Sequence, residues 1–302
     1  MNPKLKIGVV GAGVFGKFHV QKCVTHPHVD LVGIYDHTPD RNSVIAKQYN
    51  VETCSSFETL LDRADAVIIA SPARSHGALA VEALQHGKHC FIEKPIAASL
   101  SEAAKILELS RARKVVVQIG HQERFVIDAI GLKDLPERPT MITAYRMGKY
   151  SERGTDVSVT LDLMVHDLDL LNLLIGESPS KISGYPVKVY SGFPDASLGI
   201  MEFPSGCKAR LHASRAEDEN HRSMEIVYPS GTVFIDFNAK TLTHNTPFDL
   251  DADFAQKPIA QDSLGAGTNA FVQAILDGKQ VPVSAEDGYR ALEMALIIDK
   301  GA

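Results

Sequence analysis

Three short stretches combine residue types that can do chemistry. The first is Gly11-Ala12-Gly13-Val14-Phe15-Gly16, a G-x-G-x-x-G sequence between an apolar run, Lys6 to Val10, and a stretch of helical periodicity, Val14 to Val24. Glycines so placed give a tight turn, let backbone approach a pyrophosphate and allow helix and strand to pack closely, while the helix N-terminus attracts the anion. Asp36 follows twenty residues after Gly16, at the end of the next apolar run, where a carboxylate accepts hydrogen bonds from both hydroxyls of an adenosine ribose. A carboxylate there repels a 2′-phosphate, so NAD is expected over NADP; Arg41 with His37 is the arrangement that would accommodate the phosphate instead.

The second stretch pairs Asp162 with His166, four residues apart in a predicted helix from Thr160 to Ile175 and so on one side of it, with Asp169 about a turn further on. A carboxylate beside an imidazole fixes its orientation and favours its protonated form, which suits a proton acceptor. The same spacing also suits a surface pair or part of a metal site. A metal needs further ligands, which no H-E-x-x-H or Cys/His cluster supplies, and none is expected. The third stretch is Glu93-Lys94-Pro95 at the end of a predicted strand. A lysine at the carboxyl end of a parallel strand faces the crevice where ligands bind, and Pro95 restricts Lys94 to an extended backbone or permits a cis bond. Taken alone, Lys94 reads as a surface lysine.

These residues need a scaffold, and the first 120 positions alternate strands and helices. Strands are predicted at Lys6 to Val10, Val29 to Tyr35, Val51 to Cys54, Asp65 to Ala70, His89 to Glu93 and Val115 to Gly120, six in all. Helices are predicted at Val14 to Val24, Pro39 to Tyr49, through Ala78, Ala80 and Leu84 to a stop at Gly87, and at Leu100 to Arg113 with a Ser99 or Ser101 cap. Such alternation implies a parallel sheet covered on both faces. After Gly120 the pattern changes, giving expected domains of residues 1–121 and 122–302. The second begins with the Thr160 to Ile175 helix and continues with strand-like runs, broken at Pro204-Ser205-Gly206 and Pro229-Ser230-Gly231, that read as antiparallel hairpins. Asn269 to Asp277 and Ala285 to Lys300 read as closing helices.

With 302 residues, 44% hydrophobic and 23% charged, the chain has the balance of a globular protein of about two domains and excludes a disordered regulator or a fibre. A net charge of −6 without segregated basic stretches argues against nucleic acid as a partner, and no apolar run is long enough for a membrane. Cys23, Cys54, Cys90 and Cys207 form no C-x-x-C pair, as expected of a cytoplasmic chain.

Taken together, the glycine-rich turn, Glu93-Lys94-Pro95 and Asp162-Leu163-Met164-Val165-His166-Asp167-Leu168-Asp169 resemble the Gfo/Idh/MocA oxidoreductases, with Ser71-Pro72, His76, Gly87-Lys88-His89 and Val283 to Gly288 as secondary landmarks. The resemblance runs nearly end to end. It implies an α/β fold, a doubly wound Rossmann domain followed by an α/β domain with a large, mostly antiparallel sheet that binds substrate and builds homodimers or homotetramers. It also implies cofactor contacts from Gly11, Gly13, Val14, Phe15, Gly16, Asp36, Ser71, Pro72, His76, Glu93 and Lys94, and Lys94, Asp162 and His166 as the catalytic set. Two departures are Met164, where the family often has glycine, and Val157-Ser158-Val159-Thr160, where it has small, glycine-rich residues.

The Asp-Leu-Met-Val-His-Asp form, with Gly120-His121-Gln122-Glu123-Arg124-Phe125 upstream, is similar to the subgroup that oxidises C3 of UDP-N-acetylglucosamine. Arg124, Arg146, Lys149 and Arg153 are then expected around the substrate: cations of this kind suit a diphosphate, although Arg146, Lys149 and Arg153 also read as a solvated basic loop. Oxidation of a secondary alcohol needs a proton acceptor and a counter to developing negative charge. His166 or Lys94 is expected to take the proton, Lys94 to hydrogen-bond the carbinol oxygen, and Asp162 to orient His166 or a ring hydroxyl, the three converging at the coenzyme. The alternatives are a free polyol or aldose as substrate, or a non-catalytic NAD-bound sensor.

Overall fold

The computed structural model describes residues 4–152 and 154–301. Two compact units form, one of Met1–His121 with Leu264–Tyr289 and one of Gln122–Ser263 with Arg290–Ala302. A single division after residue 121 was expected. Instead residues 264–289 count with the first unit, because Phe271 and Val272 are fully buried among Leu5, Ile7, Val9, Val20 and Phe91, and the Gln118 amide donates to the Gly267 carbonyl at 2.9 Å.

The first unit is built on five strands, β1 (Leu5–Val10), β2 (Val29–Tyr35), β3 (Ala66–Ile69), β4 (His89–Ile92) and β5 (Val117–Ile119), with helices α1 (Val14–Thr25), α2 (Pro39–Tyr49), α3 (Phe57–Arg63), α4 (His76–Gln85) and α5 (Leu100–Arg113). All its strand pairs are parallel, in the order β2-β1-β3-β4-β5. Every residue of β3 is buried, as parallel strands covered on both faces require. The order reverses between β1 and β3, the switch point at whose carboxyl edge doubly wound sheets bind ligands. Five strands replace the expected six. Val51 to Cys54 contributes only a bridge between Thr53 and Ile34, after which Ser56 caps α3 by accepting from the Thr59 amide at 3.1 Å.

In the second unit α6 (Glu123–Ile130) and β6 (Met141–Met147) precede a widened, π-type turn, Thr160–Met164, that runs into α7 (Val165–Ile175). Then follow β7 (Lys181–Val187), β8 (Ala196–Glu202), β9 (Lys208–Ser214), β10 (His221–Tyr228), β11 (Gly231–Asp236) and β12 (Thr241–His244), and the helices α8 (Pro258–Gln261), α9 (Ser263–Asp277) and α10 (Ala285–Lys300), the last two shared with the first unit as divided above. The sheet runs β12-β11-β10-β6-β9-β8-β7, antiparallel except between β6 and β9. Both proline-glycine breaks close hairpins, β8–β9 and β10–β11. A Cβ on Gly184 would collide with the Ile298 backbone, so glycine is what lets α10 pack directly on β7. No helix among the described residues is long and apolar enough to cross a membrane.

One buried carboxylate organises the loop after β7. Asp195 accepts from the amides of Val189, Tyr190 and Ser191 at 2.9, 2.6 and 2.9 Å and from Arg215 Nε at 2.8 Å. Arg215 in turn donates to the carbonyls of Gly154 and Val157 at 2.7 and 3.1 Å. Burial alone would raise the Asp195 pKa, but these donors hold it well below the usual carboxylate range. A group depressed in the folded state stabilises above its unfolded pKa and loses that contribution as pH falls. Asp195→Asn is therefore expected to cost about 3 kcal/mol in urea denaturation at neutral pH, with the gap to the parent protein narrowing below about pH 4.

Candidate active site

At the carboxyl edge of the first sheet the three motif glycines have separate roles. Gly11 has φ +100°, and a Cβ there would lie 2.5 Å from the Ala70 carbonyl oxygen; a Cβ on Gly16 would fall on the carbonyl of Gly11. One makes the turn and the other lets α1 pack onto it. Gly13 would meet nothing within 4 Å, so its backbone is open to a ligand. Gly13 is also the N-cap of α1 and supplies no side-chain cap, leaving first-turn amides for an anion, while Val14 and Phe15 are exposed beside it.

Asp36 is buried, with Oδ2 accepting from the Ala12 amide at 2.7 Å and Oδ1 from the Thr38 amide at 2.8 Å. A carboxylate has about four lone-pair sites, so each oxygen keeps room for one more donor, as a ribose diol requires. His37 stands 3.3 Å from Oδ1, and Arg41 is exposed on α2. The residues present fit a dinucleotide.

Ser71 and Pro72 follow β3 in a turn closed by a 2.7 Å contact between the Ser71 and Ser75 hydroxyls. His76, expected at the cofactor, is turned into the protein. Its ring is 1% exposed, with Nδ1 2.7 Å from the Pro95 carbonyl and Nε2 2.8 Å from the Ser71 carbonyl, so both nitrogens are spent on the protein's own backbone. Beyond β4, Glu93 Oε1 lies 2.8 Å from His19 Nε2, and Oε2 accepts from the Lys94 amide at 3.3 Å. Burial would raise the Glu93 pKa, but the His19 hydrogen bond and the charges of His19, Lys94 and His76 bring it below the ordinary value. Lys94 is half-buried, and its bond to Pro95 is cis.

The second unit gathers its chemistry around Glu123, which the sequence argument did not single out. His166 Nδ1 lies 3.3 Å from Glu123 Oε1. Arg146 donates to the same carboxylate through Nη1 at 2.9 Å and Nη2 at 2.6 Å, and to Asp167 through Nε and Nη2 at 2.9 and 2.7 Å. Arg222, the direct cross-strand neighbour of Arg146, pairs with Glu123 as well. Like charges opposite one another in a sheet repel, and the bridging carboxylate offsets that. Burial lowers the Arg222 pKa to about 10, which still leaves it charged at neutral pH.

Arg146 thus belongs to β6 and not to a basic loop. Ile142, Ala144 and Arg146 alternate inward, which carries the guanidinium into the buried network. Arg124 is likewise buried and bidentate to Asp169, through Nε at 2.8 Å and Nη2 at 2.7 Å. Both, expected around the substrate, make ion pairs that join elements of this unit. Lys149 is exposed, and Arg153 lies outside the described residues.

Asp162 and His166, both half-buried, sit in and just after the π-type turn. Such widened turns recur at functional sites. The carboxylate that faces His166 Nδ1 is Glu123 on α6, while Asp162 lies where a Cβ on Gly154 would collide with it. Ser158 Oγ caps the turn by accepting from the Leu161 amide at 3.1 Å. Met164 is fully buried, so the bulk that replaces the family glycine goes into the core. The signal that would have exposed Glu123 is the inward-facing arginine of β6, because a buried guanidinium needs a buried carboxylate. Among the described residues no cluster of three or more His, Cys, Asp or Glu side chains is placed to hold a metal.

A dinucleotide turn on a doubly wound sheet, with a second unit that carries a histidine beside a buried carboxylate, defines a nicotinamide-linked oxidoreductase. Residues 5–121 match the oxidoreductase family with an NAD-binding Rossmann fold, GFO_IDH_MocA, and residues 135–234 match the GFO/IDH/MocA C-terminal domain. The chain belongs to this family, and NAD is its cofactor. It is 31% identical to a UDP-N-acetylglucosamine 3-dehydrogenase of Acidithiobacillus ferrooxidans, over 97% of this chain and 95% of the relative. A solved structure of that enzyme superposes with a TM-score of 0.89, covering 97% of this chain and 96% of that one at 31% identity. A scyllo-inositol 2-dehydrogenase (NAD(+)) of Bacillus subtilis is 27% identical, over 98% of this chain and 93% of the relative.

Asp36→Ala removes the ribose acceptor. It is expected to weaken NADH binding by about 2 kcal/mol, roughly 30-fold in Kd, and to narrow the preference over NADPH, both read by fluorescence titration. It also leaves the Ala12 and Thr38 amides without their acceptor, which should lower the Tm by a few degrees.

Proposed function

We propose that the protein oxidises a secondary hydroxyl of a sugar, and that the sugar is a nucleotide sugar of the UDP-N-acetylglucosamine type attacked at C3. The observation that carries the chemistry is His166 Nδ1 at 3.3 Å from the Glu123 carboxylate, because a negative charge beside the ring favours the imidazolium formed when Nε2 takes a hydroxyl proton. Bound NAD supplies the acceptor for the hydrogen lost from the carbinol carbon. His166 takes the hydroxyl proton, Lys94 donates a hydrogen bond to the same oxygen and counters its developing charge, and Asp162 orients a neighbouring ring hydroxyl. Glu123, held by Arg146 and Arg222, keeps a negative charge beside the imidazole.

The similarity to the Acidithiobacillus enzyme over nearly the whole chain supports the nucleotide sugar. With Arg124 and Arg146 committed to carboxylates, Lys149 and Arg153 remain as the phosphate-reading cations. A free cyclic polyol is the second reading. The guanidinium of Arg146, which shares Glu123 with His166, is neutralised within the protein, which a substrate without phosphate tolerates equally well. Assembly as a homodimer or homotetramer belongs to the same proposal, supported by the exposed apolar side chains of Tyr185, Val187 and Ile200 on β7 and β8. So does a cytoplasmic address, supported by four buried, unpaired cysteines.

Lys94→Ala is expected to lower kcat by about 10²-fold or more while leaving the NADH Kd within about twofold; unaltered turnover removes Lys94 from the mechanism. In a thermal-shift series with NAD present, UDP-N-acetylglucosamine and UDP should each raise the Tm. A shift with myo-inositol and none with UDP would favour the polyol.

A further inference from the structure

Glu93, Lys94 and Pro95 leave the carboxyl end of β4, and two helices each send one buried histidine to this tripeptide. His19 on α1 is 0% exposed and places Nε2 2.8 Å from Glu93 Oε1. His76, at the start of α4, places Nδ1 2.7 Å from the Pro95 carbonyl and Nε2 2.8 Å from the Ser71 carbonyl. The contacts fall on the residue before Lys94 and on the residue after it. Proline has no N–H, so residue 95 offers a tether only its carbonyl, and His76 takes it.

Core filling does not account for these side chains. Burying an imidazole costs desolvation that an apolar side chain of similar size avoids. Phe91, whose ring packs edge-on against His19 with centroids 5.0 Å apart, shows that the neighbourhood accepts an aromatic hydrocarbon. Glu93 adds a constraint of its own, since a Cβ on Gly120 would come within 2.8 Å of Oε2. The carboxylate is therefore seated against the backbone of residue 120 on one side and His19 on the other. A reacting group displaced by about 1 Å can lose on the order of 10²-fold in rate, so the backbone that presents a lysine amine has to be fixed on both sides.

We propose that His19 and His76 are positioning residues that clamp the Glu93–Pro95 tripeptide and fix the backbone from which the Lys94 ammonium is presented. His76 also joins the turn after β3 to the turn after β4, so the same ring holds two loops at the ligand-binding edge of the sheet. The proposal rests on the reading of Lys94 as the group that hydrogen-bonds the reacting oxygen.

The test uses the full-length protein with NAD and the variants His19→Ala, His19→Gln, His76→Ala, His76→Asn and Lys94→Ala. Three quantities are read: hydrogen exchange in residues 93–98 by mass spectrometry, the rate of Lys94 acetylation by limiting acetic anhydride, and turnover of UDP-N-acetylglucosamine and myo-inositol. His19→Ala and His76→Ala are expected to speed exchange in residues 93–98 by about tenfold or more, with the amides of β3 unchanged. They should also change the Lys94 acetylation rate several-fold, and lower kcat by at least about tenfold with the KM for NAD within about threefold. The glutamine amide reaches where Nε2 of His19 stood, and the asparagine amide where Nδ1 of His76 stood. These two variants should restore all three quantities to within about threefold of the parent.

Unchanged exchange and acetylation in both alanine variants would overturn the clamp, as would glutamine and asparagine variants no better than alanine. Should the alanine variants fail to fold, His19→Gln against His19→Asn and His76→Asn against His76→Gln decide the matter, because in each pair only the first amide reaches its partner. Lys94→Ala with full turnover would remove the catalytic reading of Lys94, while exchange and acetylation in the histidine variants still judge the clamp independently.

Discussion

A buried guanidinium must find a carboxylate, and a buried carboxylate must find a cation or a set of amide donors. In the second unit that requirement closes on itself. Glu123 brings α6, Arg146 brings β6, Asp167 brings α7 and Arg222 brings β10, and no member can be withdrawn without leaving an uncompensated charge. Apolar packing tolerates small slips, whereas a bidentate guanidinium–carboxylate pair fixes both distance and orientation. His166 stands beside this frame, with Nδ1 3.3 Å from Glu123 Oε1. The charge balance that holds the helices to the sheet thereby also sets the electrostatic surroundings of its ring.

The first unit reaches a comparable precision by other means. Its strands are mostly apolar and buried, and the groups that read the cofactor sit in the loops at their carboxyl ends. There Asp36 is seated by the amide of Ala12 inside the glycine turn, and Glu93 by His19. The group that reads the ribose and the turn that receives the pyrophosphate are thus joined by a 2.7 Å hydrogen bond. Cofactor choice and turn geometry are one structural element.

Legibility in the sequence followed the range of the forces involved. Helices α2, α5 and α10 begin and end where periodicity and capping residues place them, because those signals are local. The glycine turn and Asp36 were legible for the same reason, each spacing being fixed within one strand-helix-strand passage. Val51 to Cys54 has strand-like composition but finds only one bridge, and a short strand exists only where a neighbour pairs with it. β6 was missed because Arg146 interrupts its apolar alternation, although the arginine points inward like its neighbours. Glu123 was missed with it, since its role depends on partners 23 and 43 positions away in sequence and on their burial.

The return of residues 264–289 to the first unit, followed by 290–302 in the second, makes the two units interleave along the chain. Phe271 and Val272 complete the apolar packing around Leu5, Ile7 and Phe91. A gene truncated after codon 121 would therefore encode an unfinished nucleotide-binding module with part of its interior laid bare. Swapping second units between relatives would need three coordinated junctions, after residues 121, 263 and 289.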